Sequence, residues 1–268
     1  MDRIKKDFLN IGSSVRLRER GITPICFSLV DSTNAEARRY AQDGGTAPAL
    51  FVADEQSAGR GRLGRSFFSP ASTGIYMTLL LDAASLFEDS AVYLTSAVSV
   101  AVAEAIEQVT GKHCLIKWVN DVYLDGRKVC GILAESFVAG GERYICIGVG
   151  VNLSTQDFPR ELESIACSLT NEHSQGVRRE MTLTLATSIY DGIKRLNSGD
   201  ISYIEQYRER SCVLGQRVSF VRDGVAGEGF ARSIDERGAL EVVLDDGGVH
   251  VLNSGEITLR VKADGKSE

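Results

Sequence analysis

The apolar residues of this chain follow two different patterns, which meet near residue 212. Before that point, segments with helical spacing alternate with short apolar runs, which is typical of a sheet flanked by helices. The apolar runs predict strands at residues 24–30, 49–54, 75–81, 122–124, 128–137 and 144–151. The helical spacing predicts helices at residues 1–21, 33–42, 88–109, 161–165, 183–196 and 201–210, and the rest of 156–180 is predicted to be irregular.

Beyond residue 212 the pattern changes to short strands at regular spacing, with glycine-containing turns between them. These strands are predicted at residues 216–221, 226–234, 239–244, 248–253 and 257–259. Such spacing indicates a small five-stranded barrel. We therefore expect an α+β protein in four parts: an N-terminal helical segment at 1–22, a main domain at 23–212, the barrel at 213–262 and a polar tail at 263–268.

Four local signals mark the ends of predicted elements. They are a capping box at Thr33 and Glu36, a glycine stop at Gly111, an N-cap at Asp200 and a hairpin turn at Asp125-Gly126. Spacing alone favours simple capping for the polar residues at the start of the first of these helices, Ser32, Thr33 and Asn34. The alternative is that they face a ligand at the strand end, and both hold together because one side chain suffices for the cap.

Composition places the chain among ordinary soluble globular proteins, because 43% of its residues are hydrophobic and 25% are charged. Its net charge of -6 argues against a general nucleic-acid binder. No apolar run approaches the roughly 20 residues that span a bilayer, and residues 1–7 lack the apolar region of a secretory signal. The six cysteines form no C-x-x-C pair, which indicates reduced thiols in a cytoplasmic protein and no metal site.

The most informative segment is residues 56–68, which contains three glycines and three arginines within seven residues. They are Gly59, Gly61 and Gly64, and Arg60, Arg62 and Arg65. Arginines supply fixed positive charge and planar donor groups, while glycines let the backbone approach a ligand. Such a loop is suited to wrap a phosphate or a carboxylate. The alternative is a solvated basic turn, and the cluster considered alone favours that alternative.

Other candidate residues are equivocal when each is considered alone. Asn120, Asp121 and Lys128 lie near the predicted hairpin and are interpreted as turn formers and a solvated lysine. Trp118, the only tryptophan, is expected in the core. Catalysis is assigned to none of the histidines, which are His113, His173 and His250.

Five short motifs follow one another along the chain. They are Asp31-Ser-Thr-Asn34, Gln56 with Gly59-Arg-Gly-Arg62-x-Gly64-Arg65, Lys117-Trp118-x-Asn120-Asp121, Arg127-Lys128-x-x-Gly131-Ile-Leu-x-Glu135, and Ile147-Gly-Val-Gly150-Val-Asn152. Together they resemble the motifs of biotin protein ligases, the enzymes that attach biotin to carboxylase carrier domains. The segment Ser254-Gly-Glu-Ile-Thr-Leu259 is similar to the close of that family's C-terminal barrel, so the resemblance runs from about residue 25 to 260.

The resemblance implies a mixed β-sheet catalytic domain flanked by helices, like that of class II synthetases, and a small SH3-like barrel. It implies that the substrates are biotin and ATP, with Mg²⁺ on the ATP oxygens, and no residue of the chain is assigned as a metal ligand. Biotin would be activated as biotinyl-5′-AMP and transferred to a lysine of a biotin carboxyl carrier domain, of acetyl-CoA carboxylase or a related carboxylase. Because the first step brings two anions together, fixed cations are its main requirement, and no covalent nucleophile is needed.

The resemblance also assigns residues to each substrate. The biotin-binding residues are Ser32, Thr33, Asn34, Gln56, Gly59, Arg60, Gly61, Arg62, Lys128, Gly131 and Gly148. The ATP-binding residues are Arg62, Arg65, Phe67, Asn120, Asp121, Lys128 and Asn152. Lys128, which would reach the biotin carboxylate and the α-phosphate, and Arg62, on a loop that would close over the ligand, are the implied catalytic residues.

The chain departs from the family pattern in three places. Val119 stands where a proline is usual, and Phe67 where a tryptophan is common. Because residues 1–22 leave no room for the winged helix of the regulatory members, no DNA partner is expected. No membrane partner is expected either, and the family allows a homodimer through a sheet edge.

Two other functions remain open. A lipoate ligase or lipoyl transferase shares the fold and the reaction, but the full Gly/Arg loop favours biotin. A nucleotide- or nucleic-acid-binding module is the non-enzymatic alternative. The net negative charge and the lack of aromatic residues within a basic face argue against it.

Overall fold

The computed structural model describes residues 6–83, 91–222, 225–253 and 260–261. Seven strands form one sheet: β1 (Thr23–Val30), β2 (Ala49–Gln56), β3 (Ile75–Asp82), β4 (Leu115–Lys117), β5 (Asp121–Leu124), β6 (Arg127–Ala139) and β7 (Glu142–Val151). Their spatial order is β1-β2-β3-β7-β6-β5-β4, and the sheet is mixed because β1 and β2 are parallel while the other pairs are antiparallel.

Helices lie on both faces of this sheet. The helices of the described residues are α1 (Val15–Arg18), α2 (Thr33–Gln42), α3 (Ala91–Thr110), α4 (Arg160–Glu163), α5 (Gln175–Asn197) and α6 (Tyr203–Glu209). Successive side chains of β2 and β3 point to opposite faces. Leu50 and Met77 belong to one core with α3 and α5, whereas Phe51 and Leu80 belong to a second core with α2. The expected mixed sheet flanked by helices is therefore confirmed.

Five strands of the C-terminal region form an antiparallel sheet. They are β8 (Arg217–Arg222), β9 (Val225–Ile234), β10 (Leu240–Val243), β11 (Val249–Leu252) and β12 (Arg260–Val261), in the order β11-β10-β9-β8-β12. The first four match the predicted strands. The strand predicted at 257–259 and the segment Ser254-Gly-Glu-Ile-Thr-Leu259 lie outside the described residues, as do residues 1–5 and the tail at 263–268.

Trp118 connects the two sheets. Its side chain is buried, and its indole N–H donates a hydrogen bond of 2.9 Å to the carbonyl of Gly238. Arg208 on α6 makes a second link, since its Nε lies 2.7 Å from the carbonyl oxygen of Ile234. The expectation that Trp118 lies in the core is confirmed, and the peptide between Trp118 and Val119 is cis.

One predicted helix stop and one predicted hairpin turn are confirmed, whereas two predicted helices were wrong in extent. Gly111 ends α3 with a φ of 69°, and Asp125 and Gly126 form the hairpin turn with φ values of 50° and 76°. The helix predicted at 1–21 is wrong for residues 6–14, where the described chain forms turns before α1. This segment contains many charged residues and only a partial apolar stripe, which buries too little surface to stabilise a long helix.

The N-terminal part of α5 was also predicted wrongly, because residues 175–180 were expected to be irregular. Ser174 caps this helix, since its hydroxyl accepts the backbone N–H of Val177 at 3.3 Å. Arg178 is only 1% exposed and forms an ion pair with Asp54 beneath the sheet. Because an arginine occupies part of this buried face, the apolar signal of the segment is weak.

Two predicted caps are absent. The capping box was predicted at Thr33 and Glu36, but Thr33 is the first residue of α2 and its N–H is bound by Gln56 Oε1 at 2.9 Å. The residue before it, Ser32, makes no capping hydrogen bond with its side chain. α6 begins at Tyr203, and Asp200 instead accepts the N–H of Ser202 at 2.9 Å. Among the described residues, no helix has the length and apolar character to cross a membrane.

Candidate functional site

The five motifs converge where the start of α2, the loop between β2 and β3, and the β5–β6 hairpin meet. Asn34 at the start of α2 contacts Glu135 on β6, with 2.9 Å between its Nδ2 and the carboxylate. Arg62 in the loop contacts Asn120 before β5, at 2.9 Å. Residues that are 58 and 101 positions apart in the sequence therefore line one region of the molecule.

The Gly/Arg loop is folded upon itself like a hairpin. Gly61 donates its N–H to the carbonyl of Arg65 at 2.7 Å, and Phe67 donates its N–H to Gly59 at 2.9 Å. Leu63 at the tip has a φ of 55° and is 65% exposed. Hydrogen bonds within the loop therefore hold its backbone, while Leu63 at the tip projects into solvent.

The ring of Phe67 lies over two glycines of the central strands. A Cβ atom at Gly150 would lie 2.6 Å from this ring, and one at Gly131 would lie 3.4 Å from it. Any side chain at position 150 would thus displace Phe67. The ring also makes an edge contact with Tyr76, with 6.4 Å between the centroids. Phe67 anchors the loop to the sheet.

Cationic side chains gather around Asp121. The Lys128 ammonium lies 2.7 Å from the Asp121 carboxylate. Burial lowers the pKa of the Arg62 guanidinium, and the negative charge of Asp121 opposes that effect. Burial likewise lowers the pKa of Lys117, again opposed by Asp121. This part of the site presents three cations and one carboxylate, which suits it to bind an anion.

Asn120 is held in place from two sides. Its Oδ1 accepts the bond from Arg62, and its Nδ2 donates to the carbonyl of Ile132 at 2.8 Å. A cation in the loop is thereby connected to the β5–β6 hairpin. The position of Arg62 consequently depends on a residue that is far away in the sequence.

The polar residues at the start of α2 form a buried network. Gln56 Oε1 accepts the N–H of Thr33, and Gln56 Nε2 donates to Ser69 Oγ at 3.0 Å. Thr78 Oγ1 lies 2.8 Å from Thr33 Oγ1 and 2.6 Å from Asn34 Oδ1. These side chains form one end of the site, and the cations form the other.

The remaining predicted residues lie around this arrangement. The space over Gly148 is occupied by Asn34, because a Cβ there would lie 2.4 Å from Asn34 Oδ1. A Cβ at Gly131 would lie 3.2 Å from Lys128 Nζ, so this glycine leaves room for the lysine. Asn152 is buried and donates its N–H to the carbonyl of Val129 at 2.8 Å. The ligands assigned to these residues remain predictions.

Three residues of the site were missed as functional candidates. Lys117 and Glu135 lie within the motifs but received no role, although Lys117 is a half-buried cation and Glu135 holds Asn34. Thr78 gave only a weak signal, a hydroxyl within the apolar run at 75–81. Its partners come from two other elements, so the sequence around it does not reveal them.

No group of three or more His, Cys, Asp or Glu side chains in the described part of the chain is arranged to hold a metal ion. Asp121, the carboxylate closest to the cations, is already paired with Lys128. The described residues of the site therefore offer no three-ligand cluster for a metal ion.

Comparison with known proteins identifies relatives across most of the chain. The sequence profile of the Biotin/lipoate A/B protein ligase family matches residues 26–152, and that of the biotin protein ligase C-terminal domain matches residues 213–260. The chain is 33% identical over 240 residues to a biotin–[acetyl-CoA-carboxylase] ligase of Paracoccus denitrificans, which covers 85% of this chain and 96% of the relative. It is 36% identical over 154 residues to the bifunctional ligase/repressor BirA of Bacillus spizizenii, which covers 56% of this chain and 47% of the relative.

The chain thus spans about half the length of some relatives, including BirA of Bacillus subtilis, of which it covers 48%. Among solved structures, it is similar to the biotin protein ligase of Aquifex aeolicus in complex with biotin and ATP. The TM-score is 0.78 at 27% identity, with 89% of this chain and 99% of that chain covered.

Proposed function

The chain belongs to the biotin protein ligase family, and on that premise we propose that it is an ATP-dependent biotin protein ligase. It activates biotin as biotinyl-5′-AMP and transfers the biotinyl group to a lysine of a carrier protein. The observation that carries this proposal is the gathering of Arg62, Lys117 and Lys128 around Asp121, beside the polar network at the start of α2. A molecule with a polar ring at one end and a carboxylate at the other fits the order of these two regions.

In the first step, a biotin carboxylate oxygen attacks the α-phosphorus of ATP, and pyrophosphate leaves. Both reactants are anions, so their approach is favoured by cations that are already in position. Lys128 is assigned to the carboxylate and the α-phosphate, and Arg62 to the loop side of the same oxygens. Partial burial strengthens these interactions, because the effective dielectric constant is lower there than in water.

In the second step, the ε-amine of a carrier lysine attacks the acyl carbon of the adenylate. The new amide bond forms as AMP leaves, and the amine loses its proton. The Gly/Arg loop shields the mixed anhydride from water until the carrier arrives. None of these steps uses a covalent enzyme nucleophile.

Magnesium enters this proposal only as the counter-ion of the ATP phosphates. We assign it no protein ligand, because the described residues offer no cluster that fits one. Charge neutralisation by Mg²⁺ on the phosphates would add to that of Lys128 and Arg62.

The proposed partner is the biotin carboxyl carrier domain of acetyl-CoA carboxylase or of a related carboxylase. The named activity of the Paracoccus denitrificans relative supports this choice. A cytoplasmic location is proposed because all six cysteines are free. Pairing of two copies through a sheet edge is the proposed route to a homodimer.

Biotin-dependent exchange of pyrophosphate into ATP tests the activity directly. We expect exchange with biotin and little or none with lipoate at equal concentration. Labelling of a purified carrier domain in the same mixture tests the second step. Exchange driven by lipoate and not by biotin would assign the chain to the lipoate ligases instead, and no exchange with either acid would refute the proposal.

A further inference from the structure

Thr78 is a fully buried hydroxyl residue of the polar network at the start of α2. It lies on β3 between Met77 and Leu79 and is 0% exposed. Its hydroxyl contacts Asn34 Oδ1 at 2.6 Å and Thr33 Oγ1 at 2.8 Å. A threonine hydroxyl carries one proton, so it donates to one of these two oxygens and not to both.

The orientation of Asn34 decides which oxygen receives that proton. The Asn34 Nδ2 lies 2.9 Å from Glu135 Oε2, and this carboxylate forms an ion pair with Arg38. A carboxylate only accepts hydrogen bonds when it is ionised, so the NH₂ group of Asn34 must face Glu135. Its carbonyl oxygen therefore faces Thr78, and the proton of Thr78 goes to Asn34.

The direction of the next bond follows from this. Because Thr78 has used its proton, Thr33 is the donor in the contact between the two hydroxyls. The second neighbour of Thr33 Oγ1 is Gln56 Oε1, at 3.2 Å. That oxygen is an acceptor, because it receives the backbone N–H of Thr33 at 2.9 Å and the amide nitrogen of Gln56 faces Ser69. Both of these neighbours are acceptors, and the single proton of the Thr33 hydroxyl goes to the nearer one, Thr78 Oγ1 at 2.8 Å.

We propose that Thr78 is a positioning residue that makes the Thr33 hydroxyl give its proton to the protein and offer its lone pairs to the ligand. The inference rests on the proposed function and assigns the ring of biotin to the polar network that contains Thr33, and its carboxylate to the cations. An acceptor there selects a ring that carries N–H donors, as a cyclic urea does. A dithiolane ring has no N–H and gains nothing from that oxygen, so Thr78 contributes to the choice between the two classes of acid.

Three hydrogen bonds in series fix the direction in which the Thr33 hydroxyl donates. Glu135 accepts from the NH₂ group of Asn34, the carbonyl oxygen of Asn34 accepts from Thr78, and Thr78 accepts from Thr33. The space needed for the Asn34 side chain exists because residue 148 is a glycine. A purely structural threonine would satisfy its own hydroxyl without affecting which ligand binds.

The test measures ligand binding to the full chain by calorimetry, with three probes. They are biotin and desthiobiotin, which both carry the cyclic urea, and lipoate, which does not. Thr78→Val removes the hydroxyl at nearly constant volume and is expected to weaken both urea ligands by about tenfold, the worth of one hydrogen bond. Binding of lipoate and ATP is expected to be unchanged. Thr78→Ser keeps the donor and is expected to restore biotin binding.

Two further variants separate positioning from stability. Thr187→Val removes a buried threonine hydroxyl in α5, which donates to Leu183 O at 2.9 Å, and serves as the matched control for folding. Thr33→Val removes the proposed acceptor itself, so adding Thr78→Val to it should cost little more biotin affinity. Thermal unfolding of each variant shows whether it is folded.

Several results would overturn the assignment of Thr78. They are biotin affinity that is unchanged in Thr78→Val, an equal loss for lipoate or ATP, a failure of Thr78→Ser to restore binding, or full additivity with Thr33→Val. Absence of biotin binding by the unmodified protein would overturn the assignment together with the proposed function. Biotin binding without pyrophosphate exchange would refute the proposed reaction alone, and the comparison of variants would still decide the role of Thr78.

Discussion

The ammonium group of Lys128 and the carboxylate of Asp121 lie 2.7 Å apart on adjacent strands of the β5–β6 hairpin. Their side chains are 31% and 26% exposed, so an incoming anion can reach the lysine. Such an anion would either share the ammonium group of Lys128 with Asp121 or displace the Asp121 carboxylate from it. The pair thus holds a cation in position before any substrate arrives.

Lys128→Ala is expected to reduce biotin-dependent pyrophosphate exchange by roughly 10²-fold or more, since a cation facing the developing charge is lost. Because the pair is partly exposed, the free energy of unfolding is expected to change by no more than about 1 kcal/mol. Exchange assays and urea unfolding check the two statements. Lys194→Ala, which removes a lysine on α5 that contacts Tyr190, is the control. Near-normal exchange in Lys128→Ala would contradict the assigned role.

Arg62→Ala is expected to speed the release of biotinyl-5′-AMP by about tenfold, because it removes one charged hydrogen bond between the loop and the rest of the site. The bond to Asn120 is lost with it, so the loop is held less firmly against the hairpin. Release is measured by dilution of the loaded enzyme in the absence of carrier. Arg62→Lys keeps the charge but not the planar group, and intermediate release is expected. Unchanged release in the alanine variant would argue against loop closure.

Gly150→Ala is expected to lower the free energy of unfolding by about 1–3 kcal/mol, because its Cβ would lie 2.6 Å from the Phe67 ring and force it aside. Gly192→Ala in α5 is the matched control. Its Cβ would meet Ala101 at an ordinary 3.7 Å, and alanine favours a helix by about 0.5–1 kcal/mol. Urea unfolding of both variants measures the difference. Equal stabilities would show that Phe67 does not rest on Gly150.

Stability is expected to fall as the pH rises above about 9. Burial raises the pKa of the Cys114 thiol to about 11 and that of the Cys146 thiol to about 12. Above the ordinary thiol pKa the unfolded chain loses these protons first, so the stabilisation is present below that pKa and is lost as the pH rises through the folded value. Urea unfolding at pH 8, 9 and 10 measures the decline. A stability that is constant or rises over this range would contradict it.

The same burial predicts slow thiol chemistry. At pH 8, the native protein is expected to react slowly with a disulfide reagent at its buried cysteines, because the thiolate is the reactive form. Cys212 is the one cysteine that is only half-buried, and it is expected to react first. Denatured protein should react at all six thiols. Rapid reaction of all six in the native protein would contradict the described burial.

The strands and turns could be predicted because their signals are local. The apolar runs at β2 and β3 and the turn at Asp125-Gly126 depend on neighbours in the sequence. The start of α5 and the cap of α2 were predicted wrongly, because the local sequence there does not reveal the partners that come from other elements. Arg178 is buried by pairing with Asp54, so the start of α5 shows only a weak apolar stripe. The first N–H of α2 is bound by Gln56, so a plausible capping box is not used.

The sequence by itself determined the classes of elements, the Gly/Arg loop and the motif residues that mark the family, because each depends on residue types at short spacing. Only the tertiary structure decided which of those residues meet. The sheet order places β3 beside β7 and β7 beside β6, and α2 packs across these strands, so Asn34 comes to lie next to both Thr78 and Glu135. Hydrogen bonds within a strand or a turn follow from local spacing. The direction of a hydrogen bond between side chains from different elements exists only once the sheet has brought donor and acceptor together.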